Sequence, residues 1–201
     1  MPVVTCLDLE GVLTPEVWIN VAERTGIEKL RLTTRDINDY DELMRMRLKI
    51  LDENNLKISD IQSVIRSMEP LEGAREFLDS LRARCQVIIL SDTYYEFAGP
   101  LMEKLGRPTL FCNSLVLEPD GRIADYKLRQ KDGKRMSVKA MRSLQFKVVA
   151  VGDSYNDTTM LSEADAGILF RPPDNVVKEF PQFPVTRTYS ELRAEIDKNL
   201  D

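Results

Sequence analysis

A chain of 201 residues, 43% hydrophobic and 30% charged, has room for one ordinary domain plus a sizeable insertion and has the composition of a soluble globular protein. Its 28 basic and 33 acidic residues give a net charge of -5 with no long basic stripe, which argues against nucleic-acid binding, and no run approaches the ~20 apolar residues that span a bilayer. The chain has no histidine, which excludes Ser–His and Cys–His catalysis and any imidazole metal site and leaves the chemistry to carboxylates, hydroxyls, Lys and Arg.

The opening stretch from Met1 to Asp8 has a short apolar run with no basic flank that leads straight into acids, so no signal peptide is expected. Cys6, Cys85 and Cys112 form no CxxC and stand among apolar neighbours, the pattern of reduced core thiols in a cytoplasmic protein. Val3 to Leu9 reads as a buried strand ending in acids and Gly11. From Pro15 to Pro70 the pattern is almost entirely helical. That is too long for a simple crossover, and the stretch reads as a helical cap inserted after the first strand, punctuated by Pro15 and Glu69-Pro70.

Beyond it, helical patterns at about Leu71–Arg84, Tyr94–Leu105, Lys134–Leu144 and Thr158–Ala164 alternate with strands. The strands are Gln86–Leu90, ending at Ser91-Asp92; Thr109–Cys112; Lys147–Val151, ending at Gly152-Asp153; and Ala166–Phe170. Ser114 to Tyr126, with Pro119-Asp120-Gly121 in its middle, reads as a β-hairpin. Continuous apolar strands separated by helices predict an α/β fold whose parallel sheet is covered on both faces. The expected organisation is a core of residues 1–14 and 71–201 and a cap of residues 15–70. Nothing in the sequence fixes an oligomeric state.

In open parallel sheets ligands bind beyond the carboxyl ends of the strands. Here three such ends carry polar groups: Asp8-Leu9-Glu10-Gly11, Ser91-Asp92-Thr93 and Gly152-Asp153-Ser154-Tyr155-Asn156-Asp157. Asp8 and Glu10 would face opposite ways on an extended strand, so a turn at Glu10-Gly11 is needed to bring both carboxyls to one cleft. Gathered carboxylates repel, and a hard divalent cation with oxygen ligands, Mg²⁺, relieves that repulsion. Ser91 is either a helix N-cap or a phosphate-holding hydroxyl, and main-chain N–H groups in a turn around Ser91-Asp92 would cradle phosphate oxygens.

The helix expected from about Asp39 to Asp52 has one anomaly. At ~100° per residue, Leu48 and Leu51 fall within about 40° of Met44, Arg45 and Lys49 lie on the polar side, and Arg47 falls at about 300°, inside the apolar arc. A cation there either snorkels to the rim, or needs an anionic partner, an internal salt bridge or a substrate carboxylate. Glu16, after Pro15, either complements the helix dipole from the first turn or pairs with a substrate ammonium group.

Asp8-Leu9-Glu10-Gly11-Val12, Leu90-Ser91-Asp92-Thr93, a later lysine, and Gly152 to Asp157 together resemble the four-motif pattern of the haloacid dehalogenase (HAD) superfamily. The resemblance spans essentially the whole chain, and its last motif is the most specific. Within the superfamily the chain resembles phosphoserine phosphatases, and most of all the bifunctional phosphoserine phosphatase/homoserine phosphotransferase branch, through Asp8 to Glu16, Leu128-Arg129-Gln130-Lys131-Asp132 and Gly152 to Leu161. Glu10 stands where most of the superfamily's phosphatases have Asp, a departure expected in the bifunctional branch.

The resemblance implies a Rossmann-like core and a phosphoryl transfer through Asp8, with Glu10 as acid and base. Glu10 would then start protonated, so a raised pKa is expected in the substrate complex. Mg²⁺ would be held by the side chains of Asp8 and Asp153 and the main-chain carbonyl of Glu10. Asp157 would support the metal's water shell or the substrate, and Ser91 and Asp92 would hold the phosphate. Among Lys127, Lys131 and Lys134 the resemblance selects Lys134 to offset the phosphoryl charge. Arg47 and Glu16 would read the carboxylate and ammonium of a small substrate, phosphoserine, with homoserine as a second acceptor. The alternatives are another small phosphomonoester or a noncatalytic binding domain.

Overall fold

The computed structural model describes residues 1–34, 36–37 and 39–200. Its frame is a seven-stranded sheet made of β1 (Val3–Leu7), β2 (Gln86–Tyr94), β3 (Thr109–Leu117), β4 (Ile123–Lys127), β5 (Lys147–Gly152), β6 (Ala166–Phe170) and β7 (Val185–Thr186), in the order β4-β3-β2-β1-β5-β6-β7. All neighbours run parallel except β3 and β4, which form the expected hairpin. Its tip turns at Gly121, φ +88°.

The strands are short and β-branched because both faces of the sheet are buried. Along β1, Val4 and Cys6 join one apolar cluster while Val3 and Leu7 join the other, and in β5 Val148 and Ala150 alternate likewise with Val149 and Val151. Helices α1 (Val17–Thr25), α2 (Tyr40–Glu53) and α3 (Ile58–Ser67) lie in the insertion, and α4 (Ala74–Arg82), α5 (Tyr95–Lys104), α6 (Gly133–Ser143), α7 (Thr158–Glu163), α8 (Asp174–Glu179) and α9 (Tyr189–Asp197) follow. α4, α5 and α9 bury Leu78, Leu101 and Leu192 in one cluster; α6, α7 and α8 bury Val138, Met160 and Val176 in the other.

The inserted helices share the first cluster through Val21, Met44 and Ile61, so the insertion packs as an extension of the core's own apolar face. The hairpin tip also braces it: Lys57 Nζ lies 3.0 Å from Asp120, and Ile58 N–H donates to the Gly121 carbonyl at 2.9 Å. Cys6, Cys85 and Cys112 are unpaired. No described helix is long and apolar enough to cross a membrane.

Three expectations change. β2 does not stop at Leu90 but runs to Tyr94, which pairs with Asn113 across a register irregularity and buries its ring against Phe97. Ser91-Asp92-Thr93 is therefore extended strand rather than a turn. β3 and the first arm of the hairpin are one continuous strand. The segment after Phe170, for which the pattern gave no element, holds α8, β7 and α9; Thr188 and Glu191 form a capping box at the start of α9.

Candidate active site

Register brings the strand ends together. Leu7 pairs with Ile89 on one side and Val151 on the other, so Asp8, Ser91 and Asp153 emerge along one edge of the sheet. Asp8 N–H donates to the Val151 carbonyl at 2.9 Å, extending the ladder one step past β1. The next peptide turns back, with Leu9 N–H on Asp8 Oδ1 at 2.7 Å. The turn expected at Glu10-Gly11 is present: Gly11 has φ +80°, and its N–H donates to the Thr14 carbonyl at 2.8 Å. The turn carries Glu10 to the start of α1, where its Oε2 accepts the N–H of Val17 at 2.8 Å. That contact places a carboxyl at the positive end of a helix.

Asp8, Glu10, Glu16, Arg47, Ser91, Asp92, Lys134 and Asp153 all line one cavity of about 360 Å³. Asp157 does not line it. That side chain lies beneath the floor, 0% exposed, with Oδ1 2.7 Å from Lys134 Nζ and Oδ2 accepting the N–H groups of Asp153 at 3.0 Å and Ser154 at 3.1 Å. The loop after β5 is thus wound around the Asp157 carboxylate, and Lys134 bridges it to Asp8, 2.9 Å away, with Asp92 at 3.6 Å. Lys127 and Lys131 are exposed.

Burial alone would push Lys134 down, but Asp157, Asp8 and Asp92 outweigh it and hold the ammonium well above its ordinary value. The carboxyl of Asp8 is held up by burial and by Asp157 and Asp153, against the pull of Lys134. Asp153 is pushed up to about 7 by burial and then by Asp157. Glu10 is pushed up to about 8, first by burial and then by the nearby Glu16 carboxylate, already without a substrate.

These shifts bear on the metal. Carboxylate oxygens of Asp8, Asp153 and Asp157 lie within 4.8 Å of one another. An all-oxygen set with repelling carboxylates fits a hard divalent cation. Because Asp157 is committed to Lys134 and two N–H groups, the side-chain ligands that remain on the cavity side are Asp8 and Asp153.

Arg47 is 6% exposed, as its place in the apolar arc requires. Nη2 donates to the Leu32 carbonyl at 2.7 Å, Nη1 reaches Met44 Sδ at 3.7 Å, and the guanidinium lies 4.5 Å from the centre of the Trp18 ring. Among the described residues Nε is buried with no hydrogen-bond partner, and no carboxylate pairs with the group. Burial lowers its pKa, while Tyr40, Glu10 and Glu16 act in the opposite direction. Glu16 occupies the N-cap position of α1, one residue before the first turn, and makes no capping hydrogen bond.

Ser91 is not a helix cap, since α5 starts at Tyr95; its Oγ accepts the N–H of Thr93 at 3.2 Å. Trp18 and Tyr40, which no motif marks, also line the cavity, as does Asn156 of the Gly152–Asp157 strand end. Tyr40 had a readable signal, since it lies two helical turns before Arg47 on the same face.

A buried carboxyl beside a buried cation, a second carboxyl with a raised pKa and a hydroxyl around one cavity form a set suited to in-line phosphoryl transfer. The model for haloacid dehalogenase-like hydrolases matches residues 5–165. A phosphoserine phosphatase of Pseudomonas syringae pv. tomato is 63% identical over 195 residues, covering 97% of this chain and 82% of that relative. Phosphoserine phosphatase ThrH of Pseudomonas aeruginosa is 62% identical over 195 residues, covering 97% of this chain and 95% of that one. A solved structure of phosphoserine phosphatase in its apo form has the same fold, with a TM-score of 0.79 at 23% identity over 98% of both chains.

Proposed function

The chain belongs to the haloacid dehalogenase-like hydrolases, and on that premise we propose that it is a phosphoserine phosphatase working through a phosphorylated Asp8, with Mg²⁺ as its metal and homoserine as a second phosphoryl acceptor. The observation that carries the substrate is Arg47: a buried guanidinium whose Nε has no partner among the described residues, on the same cavity as Asp8 and Lys134. A substrate carboxylate supplies the missing anion, and Glu16 beside it receives the ammonium group. Residues 15–70 act as the cap that carries both.

In the first half-reaction an Asp8 oxygen attacks phosphorus in line. The new Asp8 O–P bond forms as the seryl O–P bond breaks, and Glu10 gives its proton to the departing seryl oxygen. A carboxyl with a pKa raised to about 8 starts this step protonated at neutral pH. In the second half-reaction Glu10 takes a proton from water or from the homoserine hydroxyl. That oxygen bonds phosphorus and the Asp8 O–P bond breaks, which restores both residues. Ser91 donates to a phosphoryl oxygen and Lys134 balances its charge. Asp8, Asp153 and the Glu10 carbonyl would hold Mg²⁺, which supplies positive charge to the phosphoryl oxygens when bound. Asp157 keeps Lys134 and the Asp153 loop in place from below.

The test is to incubate the protein with phosphoserine and Mg²⁺, with and without homoserine. Free phosphate in the first mixture and phosphohomoserine in the second are expected. Absence of both sinks the reading, and phosphate without phosphohomoserine removes the second acceptor.

A further inference from the structure

Helix α2 presents two polar groups to the cavity: Tyr40, its first residue, and Arg47, two turns on. The reading above uses Arg47 and leaves Tyr40 without a part. The Tyr40 hydroxyl donates to the main-chain carbonyl of Asp92 at 3.3 Å and lies 2.8 Å from the Tyr94 hydroxyl. A hydroxyl has one proton to give, so with Tyr40's on the carbonyl, Tyr94 donates to Tyr40. Asn113 Nδ2 donates to the same carbonyl at 3.1 Å.

The Asp92 carbonyl and the Thr93 N–H belong to one planar peptide, so donors that fix the oxygen fix the direction of the N–H. That N–H donates to Ser91 Oγ at 3.2 Å. An Oγ that already accepts a main-chain N–H keeps its own proton for a phosphoryl oxygen. A line of contacts therefore runs from the inserted helix, through one peptide plane, to the hydroxyl that meets the phosphate.

We propose that Tyr40 is a positioning residue: its hydroxyl holds the Asp92–Thr93 peptide and sets Ser91 for the phosphoryl group, and a substrate carboxylate on Arg47 keeps α2, and so Tyr40, in that place during turnover. This rests on the reading of Arg47 as the carboxylate's partner. Selection is then exerted in turnover as well as in binding. A phosphomonoester without a carboxylate leaves α2 without that tether, so Tyr40 holds the Asp92–Thr93 peptide and Ser91 less firmly as the phosphoryl group reacts. The Tyr40 ring packs edge-on against Tyr126, with centroids 5.8 Å apart, so Tyr40→Phe removes the hydroxyl and keeps the packing.

The test is a double-mutant cycle on phosphoserine turnover, with the wild type, Tyr40→Phe, Arg47→Ala and the double variant, and melting temperatures alongside. Tyr40→Phe is expected to lower kcat by about 10- to 100-fold with KM within about threefold, the scale of a misplaced catalytic group. In the Arg47→Ala background the same change costs less than about threefold, because the two residues act through one helix. An equal cost in both backgrounds, a loss confined to KM, or a lower melting temperature with unchanged kcat overturns the proposal. Tyr94→Phe leaves the Tyr40 contact to Asp92 in place and is expected to cost less than Tyr40→Phe; the reverse order also overturns it. A wild type inert toward phosphoserine sinks the substrate reading instead. The comparison then runs on the best substrate of a phosphomonoester panel, where a tenfold or greater fall in kcat for Tyr40→Phe keeps the positioning role and unchanged kcat ends it.

Discussion

Lys134 Nζ lies 2.7 Å from Asp157 Oδ1, and the two side chains are 5% and 0% exposed. The same ammonium serves Asp8 at 2.9 Å, so removing it leaves two buried carboxylates without a cation. Breaking a buried pair from one side costs about 3–5 kcal/mol, and losing a charge aimed at the reacting group costs about 10²-fold or more in rate. Lys134→Met is therefore expected to lose stability and turnover together, by amounts of those orders. Denaturant titration and kcat measure the two. A variant that unfolds and turns over like the wild type would remove Lys134 from the site.

A second expectation concerns pH and metal together. Glu10 and Asp153 are raised from ordinary values of 4.5 and 3.8 to about 8 and about 7. Within those windows the folded protein holds protons that the unfolded chain has released. Stability therefore falls as pH rises through them and levels off above about pH 8. Without metal, the melting temperature should drop steadily between about pH 5 and 8. A hard divalent cation binds carboxylates in their deprotonated form, so the binding proposed for Mg²⁺ would displace protons and be favoured as pH rises. The increase in melting temperature on adding Mg²⁺ should be larger at about pH 8 than at about pH 6. Thermal scans with Mg²⁺ and with a chelator decide it; a flat metal-free profile, or equal increases at the two pH values, would count against the raised carboxyls.

Much of this site was legible in the sequence, and the reasons differ by residue. Asp8 and Asp153 follow continuous apolar runs, and the register of a parallel sheet aligns such ends. Arg47 was legible because it is the one cation inside the apolar arc of α2. Lys134 was not separable from Lys127 and Lys131 by spacing alone, since three lysines in one loop leave the same pattern; the family resemblance selected it, and burial distinguishes it. The extension of β2 through Ser91-Asp92-Thr93 was hidden because those residues have turn chemistry, and what keeps them extended is the distant partner Asn113. The seat of Asp157 below the floor depends on how the loop after Gly152 closes, which no local periodicity encodes. The cap at Thr188 was readable from Glu191 three residues on and went unused.

Arg47 leads to an expectation in which stability and selectivity move apart. Among the described residues its buried Nε has no partner, and its guanidinium is held by Leu32, Met44 and the Trp18 ring. Replacing a buried ion pair by apolar side chains of similar volume is commonly neutral or stabilising by about 1–4 kcal/mol, and Arg47 carries its burial cost with no described carboxylate to offset it. Arg47→Met is thus expected to melt at the same temperature as the wild type or higher. Its kcat/KM for phosphoserine should fall by about 10²- to 10³-fold, the scale for truncating one partner of a buried charge pair. The fall for a phosphomonoester lacking a carboxylate should be far smaller. Equal losses on both substrates would mean that Arg47 does not read the carboxylate.

Gly11 offers the sharpest separation of folding from function. Its backbone has φ +80°, and a Cβ there would sit 2.5 Å from the carboxyl of Asp153. Gly11→Ala must either push Asp153 aside or open the turn that delivers Glu10, and either change moves a group away from phosphorus. The left-handed conformation alone costs a residue with a Cβ about 1–2 kcal/mol. Gly26 provides the matched control: it has φ +71°, but a Cβ there meets nothing within 4 Å. Gly26→Ala should therefore lose only the conformational cost and Gly11→Ala at least as much, while only Gly11→Ala loses turnover, by about 10²-fold or more. If the two alanine variants turn over equally, the approach of the Gly11 turn to Asp153 has no bearing on the reaction.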